Sequence, residues 1–338
     1  MSVVEDLPKN YVCVEGIIDD NVFYIDDHEE EDPALVVMTN PLKVSQRYRK
    51  AVGYYNFKEH TFIEKDDTRH LFQDLFVMTI DSDKARLLDD AIHFQDLGNG
   101  RYVIGIHCCD YIDEIPVDSE KFKKAREKVK GTGTKDGLYD VKFLKEHSLS
   151  CKKPISKTFS LFFEYEKERE SDKVNIVSIK YGKSAVKICA QLKFSQFDKI
   201  VRGEKDFGRI ELAEGVKLSD TIAQVKNLFA FINECYKFFG KEIKGAEDVL
   251  DILGFHFNEY LANYLRDKYN TLALCGQYKK TSGMYYYSTF RSPLRRFADL
   301  CVLRQIDAAI NNLTDEKMTK YVSGDTIEEF KELKKKLF

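Results

Sequence analysis

The sequence predicts an α+β fold, and three observations carry that prediction. Short apolar runs rich in β-branched and aromatic residues, broken by Asp, Asn and Pro, fill the first half of the chain. From about residue 193 onward, the apolar residues recur at helical spacing instead. The 338 residues are 43% hydrophobic and 13% aromatic, which suffices for a packed core and excludes a disordered chain. Strands followed by helices are typical of this fold class.

The strands come first along the chain. Residues 1–70 contain several short β-rich runs and predict a small antiparallel sheet or barrel. Further on, the dipeptide Asn99-Gly100 favours a tight hairpin turn between two apolar runs. The strands predicted after residue 70 are LFVMTI (75–80), AIHF (91–94), RYVIGIHCC (101–109), TFSLFFEYE (158–166) and KVNIVSIKYG (173–182).

The helices follow. Apolar residues recur every three to four positions over 220–240, 249–269 and 292–313, which predicts three helices that each bury one face. The charged run EEFKELKKKLF predicts a last helix near the carboxyl end of the chain. We see no internal repeat.

Composition restricts the location and the class of protein. The net charge is −3, so no strong overall attraction to nucleic acid is expected. The eight cysteines lack paired metal-site spacing, which argues against structural zinc and suits a reducing compartment. No apolar stretch approaches the roughly 18 residues of a membrane span, and we see no signal or transit peptide. We therefore expect a cytoplasmic protein that does not contact a membrane.

Four carboxylates crowd the end of the first buried strand after residue 70. In TIDSDKARLLDDAIHF (79–94), they belong to Asp81, Asp83, Asp89 and Asp90. Buried carboxylates are unfavourable unless something neutralises them. Either these aspartates cap a turn and face water, or a cation lies among them. Mg²⁺ prefers oxygen ligands of this kind, so the cluster is a candidate magnesium site.

A second segment, RSPLRRF (291–297), concentrates positive charge. Ser292 followed by Pro293 predicts a helix start, with the hydroxyl at the N-cap and proline at the first helical position. That prediction puts Arg295 and Arg296 in the first helical turn, where cations are unfavourable because the helix N-terminus is itself positive.

Three arginines around a helix start are explained if an anion binds there. Free backbone amides and the guanidinium groups of Arg291, Arg295 and Arg296 together suit a phosphate. The alternative is that Asp299 or a neighbouring carboxylate pairs with these arginines. An acidic metal site beside arginines suggests phosphodiester chemistry.

These segments resemble the RNB family, the catalytic domain of 3′-to-5′ exoribonucleases of the ribonuclease II and R type. Residues 79–81 and 89–91 resemble the family's T-I-D…D-x-D-D-A motif, and 290–300 (FRSPLRRFADL) resembles F-T-S-P-I-R-R-Y-x-D-L. The additional, weaker similarities are at 105–110 (GIHCCD), 183–203 and 258–262.

The resemblance implies an RNB catalytic domain over 71–312, with a mixed β-sheet packed by helices around a channel for single-stranded RNA. A reduced, cold-shock-like (OB-like) region would precede it at 1–70, and a charged helical tail would follow at 313–338. The implied activity is Mg²⁺-dependent hydrolysis of single-stranded RNA to nucleoside monophosphates. The N-terminal region or the tail would be the place for a protein partner.

The resemblance also implies roles for individual residues. Asp81 and Asp90 would bind Mg²⁺, and Asp89 would position the metal-bound water or a second metal. Arg295 would hold the scissile phosphate as a catalytic residue, with Arg296 as the lesser candidate. The implied RNA-binding residues are Arg291, Ser292, Arg295 and Arg304.

The chain departs from the family pattern at three positions. The second family aspartate is Leu87, for which Asp83 is a nearby substitute. The Thr before Ser-Pro is Arg291, and the His before Arg304 is Leu303. The sequence is therefore compatible with two functions: an exoribonuclease of full or reduced activity, and a catalytically impaired RNB-fold module that binds RNA or assembles with other molecules.

Overall fold

The structure is a computed structural model, and it describes most of the chain from residue 69 onward. The described ranges are 12–14, 69–128, 137–167, 174–237, 243–280 and 283–338. The sheet or barrel predicted for 1–70 lies outside these ranges, except for one short strand and residues 69 and 70.

A seven-stranded mixed sheet forms the centre of the described fold, with strand order β1-β6-β2-β3-β4-β5 and β7 beside β6. A separate two-stranded hairpin pairs β8 with β9. The strands are β1 (Val12–Val14), β2 (His70–Asp81), β3 (Asp90–Gly98), β4 (Arg101–Cys109), β5 (Ser156–Lys167), β6 (Val174–Lys193), β7 (Glu211–Leu212), β8 (Gly276–Lys280) and β9 (Gly283–Tyr287).

The predicted strands after residue 70 are all present, and β6 is longer than predicted. The turn between β3 and β4 has positive φ at Asn99 (55°) and Gly100 (77°), as the Asn-Gly hairpin prediction requires. β6 runs on for 20 residues because the buried residues of VKICAQL continue its extended pattern.

β6 closes the sheet on itself. Its first part pairs antiparallel with β5, from Val174 to Val186, and its last part pairs parallel with β2, from Ser184 to Lys193. The strands between β2 and β5 complete the ring. The final parallel pair joins Lys193 to Asp81, so the carboxyl end of β2 lies at the rim of the closed sheet.

Helices cover the sheet, and their bounds are α1 (Glu120–Glu127), α2 (Val141–His147), α3 (Phe194–Val201), α4 (Leu218–Lys237), α5 (Ala246–Tyr269), α6 (Phe297–Ile310), α7 (Asp315–Ser323) and α8 (Ile327–Leu337). α4 and α5 confirm two of the three long predicted helices. None of the helices in the described ranges is both long and apolar enough to cross a membrane.

The carboxyl-terminal residues belong to the main core. α8 begins with a capping box between Thr326 and Glu329. It buries Phe330 and Leu333 in the same hydrophobic cluster as Ile306 of α6. The segment 313–338, predicted as a charged helical tail, is thus largely helical, and the apolar face of α8 packs on the domain.

Candidate active site

The acidic end of β2 carries the least satisfied carboxylate of the site. Asp81 is the last residue of β2, and its Oδ2 atom is buried with no hydrogen-bond partner among the described residues. Burial, together with the negative charge of Asp90, raises the pKa of Asp81 to about 8. Asp90 is the first residue of β3, so the two carboxylates meet where two strands of the ring end.

Asp89 joins the acidic rim, which consists of Asp81, Asp89 and Asp90, to the arginine segment, residues 291–296. Its side chain is 3% exposed; Oδ1 accepts a hydrogen bond from the Leu294 amide (2.8 Å), and Oδ2 accepts one from Arg295 Nε (3.2 Å). Burial raises the pKa of Asp89 to about 7, although the positive charge of Arg295 acts in the opposite direction. Both oxygens of Asp89 are thus used to hold residues more than 200 positions away.

The arginine segment (291–296) is a turn and not the start of a helix. The carbonyl of Ser292 accepts hydrogen bonds from the amides of Arg295 (3.2 Å) and Arg296 (2.9 Å), and α6 begins only at Phe297. The predicted helix start at Ser292-Pro293 is therefore wrong. The reason is that the Ser292 hydroxyl accepts from the Arg295 and Arg296 guanidinium groups, at 2.8 and 2.9 Å, and so does not cap backbone amides.

The three arginines divide between two sets of carboxylates. Arg291 Nη1 lies 3.3 Å from Asp90 Oδ2, and Arg295 contacts Asp89. Arg296 lies 3.3 Å from Asp299, which also accepts from the Ser292 amide. The alternative pairing with Asp299 thus holds for Arg296 alone. The other two arginines reach the acidic rim, so the two segments singled out in the sequence meet in space.

Asp81 and Asp90 are suited to bind one hard divalent cation. Mg²⁺ in proteins is usually held by one or two carboxylates, with water and phosphate oxygens as the other ligands. The unpartnered oxygen of Asp81 and its repulsion with Asp90 fit such a site. Within the described ranges, no group of three or more His, Cys, Asp or Glu side chains could hold a metal. The structure therefore gives no support to a ligand role for Asp89.

Aromatic side chains that the sequence analysis did not single out surround the β8–β9 hairpin beside this rim. Phe255 of α5 lies 5.7 Å from the Tyr285 ring and 5.2 Å from the Tyr287 ring, and Tyr278 stacks on Tyr285 at 5.4 Å. Tyr278 is 42% exposed. We call these four residues the tyrosine platform. The three consecutive tyrosines at 285–287 are visible in the sequence. Their contact with Phe255 of α5 could not be predicted from it.

The tyrosine platform adjoins the arginine segment through α5. Gly254, the neighbour of Phe255, packs so closely on Arg291 that a Cβ atom at 254 would lie 2.4 Å from Arg291 Nη2. The rim, the arginine segment and the platform therefore form one continuous candidate site.

Comparison with known families gives the assignment. Residues 69–234 match the sequence model of the RNB domain. The chain carries an RNB domain. Its sequence is 28% identical to DIS3-like exonuclease 2 of Schizosaccharomyces pombe over 131 residues, which are 38% of this chain and 14% of that protein. It is 24% identical to Ribonuclease R 2 of Lactococcus lactis over 157 residues, 46% of this chain and 23% of that protein.

Solved structures confirm the RNB fold. An active-site mutant of the Dss1 exoribonuclease from Candida glabrata superimposes with a TM-score of 0.59 at 15% identity, covering 81% of this chain and 45% of that chain. The pseudonuclease Ssd1 from yeast gives 0.58 at 15% identity, with coverages of 80% and 44%. Mycoplasma genitalium RNase R, bound to ribose-methylated single-stranded RNA, gives 0.56 at 14% identity, with coverages of 87% and 59%. The chain thus spans about half the length of these proteins.

One predicted RNA-binding residue of the RNB domain is structural. Arg304 is 3% exposed. Its guanidinium donates to the carbonyls of Tyr321 (3.2 Å), Ile112 (2.8 Å) and Ile115. The predicted RNA contact of Arg304 is therefore wrong, because its side chain joins α6 to two neighbouring segments inside the protein.

The position of the missing family aspartate is not filled by another carboxylate. Leu87 is half-buried and packs against the hydrophobic core. Asp83 is exposed and accepts hydrogen bonds from the amide (3.3 Å) and the hydroxyl of Ser195, which lower its pKa. Asp83 thus stabilises the start of α3, and the structure gives no support to its substitution for the missing ligand.

Proposed function

We propose that this RNB domain is a Mg²⁺-dependent exoribonuclease that degrades single-stranded RNA from its 3′ end to nucleoside monophosphates. The observation that carries the proposal is the meeting of the acidic rim with Arg291 and Arg295, at 3.3 and 3.2 Å. Carboxylates that can hold a cation, beside guanidinium groups that can hold a phosphate, are the parts that phosphodiester hydrolysis requires. The names of the matched relatives, an exonuclease and a ribonuclease R, agree with this reaction.

Asp81 and Asp90 would hold the metal. A Mg²⁺ ion there would polarise the phosphate and lower the pKa of a water molecule. These two carboxylates come from adjacent strand ends of a closed sheet, so the backbone fixes their separation.

Arg295 would bind the scissile phosphate. Its side chain is 49% exposed, while Nε is held by Asp89 and Nη2 by the Ser292 hydroxyl. A guanidinium fixed in this way loses little conformational entropy when it binds an anion, and its attraction increases as charge develops in the transition state. Asp89 acts through Arg295 and the Leu294 amide, which makes it a positioning residue.

The tyrosine platform offers stacking surfaces for bases of the same strand. Each base stacked on an aromatic side chain contributes about 1–3 kcal/mol without sequence preference. Tyr278 is the most exposed of the platform rings, and it stacks on Tyr285. The platform therefore supports binding of unpaired RNA, whose bases are free to stack.

The test is release of mononucleotides from labelled poly(A) with and without Mg²⁺. We expect the wild-type protein to release them only with Mg²⁺ and Asp81→Asn to release none. Arg295→Ala should lower kcat by about 100-fold, as removal of one donor to a developing charge does elsewhere, with a much smaller change in RNA affinity. Arg202→Ala, an exposed arginine paired with Glu204, is the control and should behave as wild type. Equal loss of turnover and affinity in Arg295→Ala would contradict its role.

A second candidate is an RNA-binding module that does not cleave. Leu87 packs as an apolar residue where the family has a carboxylate, and Asp90 is paired with Arg291. The Ssd1 structure, whose fold this chain shares, is described as that of a pseudonuclease. If wild type and Asp81→Asn both leave poly(A) intact and both retard it on a gel, the binding module is correct.

A further inference from the structure

We propose that Arg291 is an internal counter-ion of Asp90, which a divalent cation must displace in order to bind. This inference deepens the proposed function and rests on the same metal site. It concerns a residue at which the chain departs from the family pattern, since Arg291 stands where the family has Thr. Because Arg291 competes for Asp90, it raises the concentration of divalent cation that is needed to fill the site.

The guanidinium lies on one oxygen of the carboxylate that would hold the cation. Arg291 Nη1 lies 3.3 Å from Asp90 Oδ2, and the two side chains are only 21% and 23% exposed. Shielding from water at this depth strengthens the attraction relative to a surface ion pair. A metal ion that binds Asp90 therefore has to replace an existing favourable contact as well as the water around it.

The opposite face of the guanidinium is fixed by α5. Gly254 allows Arg291 to lie directly on the helix, because any side chain at 254 would overlap Nη2 and Cζ. Arg291 is thus held between a helix and the start of β3. A side chain confined in this way pays little additional entropy to stay on Asp90, so its competition with a cation is effective.

The charges of the site are consistent with replacement of the Arg291 guanidinium by a divalent cation. Asp81 and Asp90 repel each other, which burial makes stronger. One guanidinium on Asp90 neutralises one of the two negative charges, whereas a divalent cation between them would neutralise both. The metal-free site therefore has a stable arrangement of its own, and loading with metal requires the guanidinium to leave.

Arg296 provides the matched control. It belongs to the same turn and carries the same charge, but it contacts Asp299 and the Ser292 hydroxyl and not Asp90. Removing Arg296 measures the effect of one positive charge near the site. Removing Arg291 measures that effect plus the loss of the contact with Asp90.

The experiment is a Mn²⁺ titration of the full chain, followed by electron paramagnetic resonance of free Mn²⁺, without RNA. We expect Arg291→Thr to bind Mn²⁺ about tenfold more tightly than wild type, the scale of one charge-assisted hydrogen bond. Arg296→Thr should change the affinity by less than about threefold, as expected for a more distant screened charge. In an Asp90→Asn background, Arg291→Thr should give no gain.

Three results would overturn the inference. They are equal Mn²⁺ affinities of Arg291→Thr and Arg296→Thr, a gain that persists in the Asp90→Asn background, and no Mn²⁺ binding by Arg291→Thr. Arg291→Gln, which keeps more of the side chain, replaces Arg291→Thr if the latter has a lowered melting temperature. Cleavage is not part of this readout. A protein that binds Mn²⁺ as expected but leaves RNA intact contradicts the proposed function alone.

Discussion

At the scale of single residues, the candidate site is built from carboxylates that the fold leaves under-neutralised. Asp81 has a buried oxygen without a partner, and burial raises the pKa of Asp81, Asp89 and Asp90. Asp110, at the end of β4, shows the opposite arrangement. It is also buried, yet its pKa is lowered, because Arg69 lies 2.8 Å away. Asp110 is thus paired with a buried arginine, whereas Asp89 and Asp90 of the candidate site are paired with the more exposed Arg295 and Arg291.

The raised pKa values predict how the metal-free protein responds to pH. In the folded state the pKa is about 8 for Asp81 and about 7 for Asp89, against about 3.9 for an unperturbed Asp. Such groups stabilise the fold at low pH, and that stabilisation is lost as the pH rises through the folded-state pKa. We therefore expect the melting temperature without metal to fall between about pH 4 and 8.

Differential scanning calorimetry of wild type and Asp81→Asn at a series of pH values checks the predicted fall in melting temperature. Asn cannot ionise, so the variant should show a smaller fall and exceed wild type in melting temperature at pH 8. Mg²⁺ should reduce the fall in wild type alone, because it favours the ionised carboxylates. Identical pH profiles for the two proteins would contradict the assignment.

Residue spacing predicted part of this site. Asp81 and Asp90 could be identified because they flank apolar strands, and Arg291 and Arg295 because positive charge is concentrated beside Ser-Pro. Arg304 could not be assigned, since nearly all of α6 is buried and its sequence therefore shows no polar face from which exposure could be inferred.

At the scale of elements, the close packing of α5 on the arginine segment connects the platform to the rim. Gly254 lies inside a 24-residue helix, where glycine is about 1 kcal/mol less favourable than alanine. The helix accepts this residue because the Arg291 guanidinium takes the space of a side chain.

Gly254→Ala should therefore affect RNA affinity without a comparable effect on the stability of the fold. We expect a melting temperature close to that of wild type, because alanine favours the helix while the Arg291 guanidinium has to shift away from its contact with Asp90. RNA affinity should fall by about tenfold, the loss of one charge-assisted contact to phosphate, measured by fluorescence anisotropy with labelled poly(A). Asp251→Ala, on the exposed face of the same helix, is the control. Weaker binding by both variants, or by neither, would refute the role of Gly254.

Helices were predicted correctly where the helical spacing of apolar residues continued over the whole element. α4 and α5 followed from apolar spacing, and the β3–β4 turn followed from Asn-Gly. The start of α6 was mispredicted because two arginines compete for the Ser292 hydroxyl. That competition depends on tertiary placement, which local sequence does not contain.

At the scale of the whole molecule, the described residues from 69 onward share one hydrophobic core that extends into the last helix. Met318 and Val322 of α7, and Phe330 of α8, are fully buried in it. The charge of the carboxyl-terminal segment hid this in the sequence, since α8 has four lysines but only two buried residues, Phe330 and Leu333.

Phe330→Ala tests the shared core. Removal of a fully buried phenylalanine should lower the free energy of unfolding by about 3–5 kcal/mol. Chemical denaturation should still show one transition, because α8 is not an independent unit. Lys336→Ala, an exposed change in the same helix, should alter stability by less than about 0.5 kcal/mol. A second, earlier transition in Phe330→Ala would instead support a separate tail.

The hydrogen bonds that join the acidic rim to the arginine segment link residues 201 to 206 positions apart. A ribosome delivers residues in order, at about 5–20 per second, so the negative half of the site leaves the exit tunnel long before the positive half. A nascent chain that stops short of residue 291 carries mutually repelling acids with no guanidinium to restrain them. Completion of the site therefore has to await synthesis of residues 291–295, and a product truncated before them cannot assemble it.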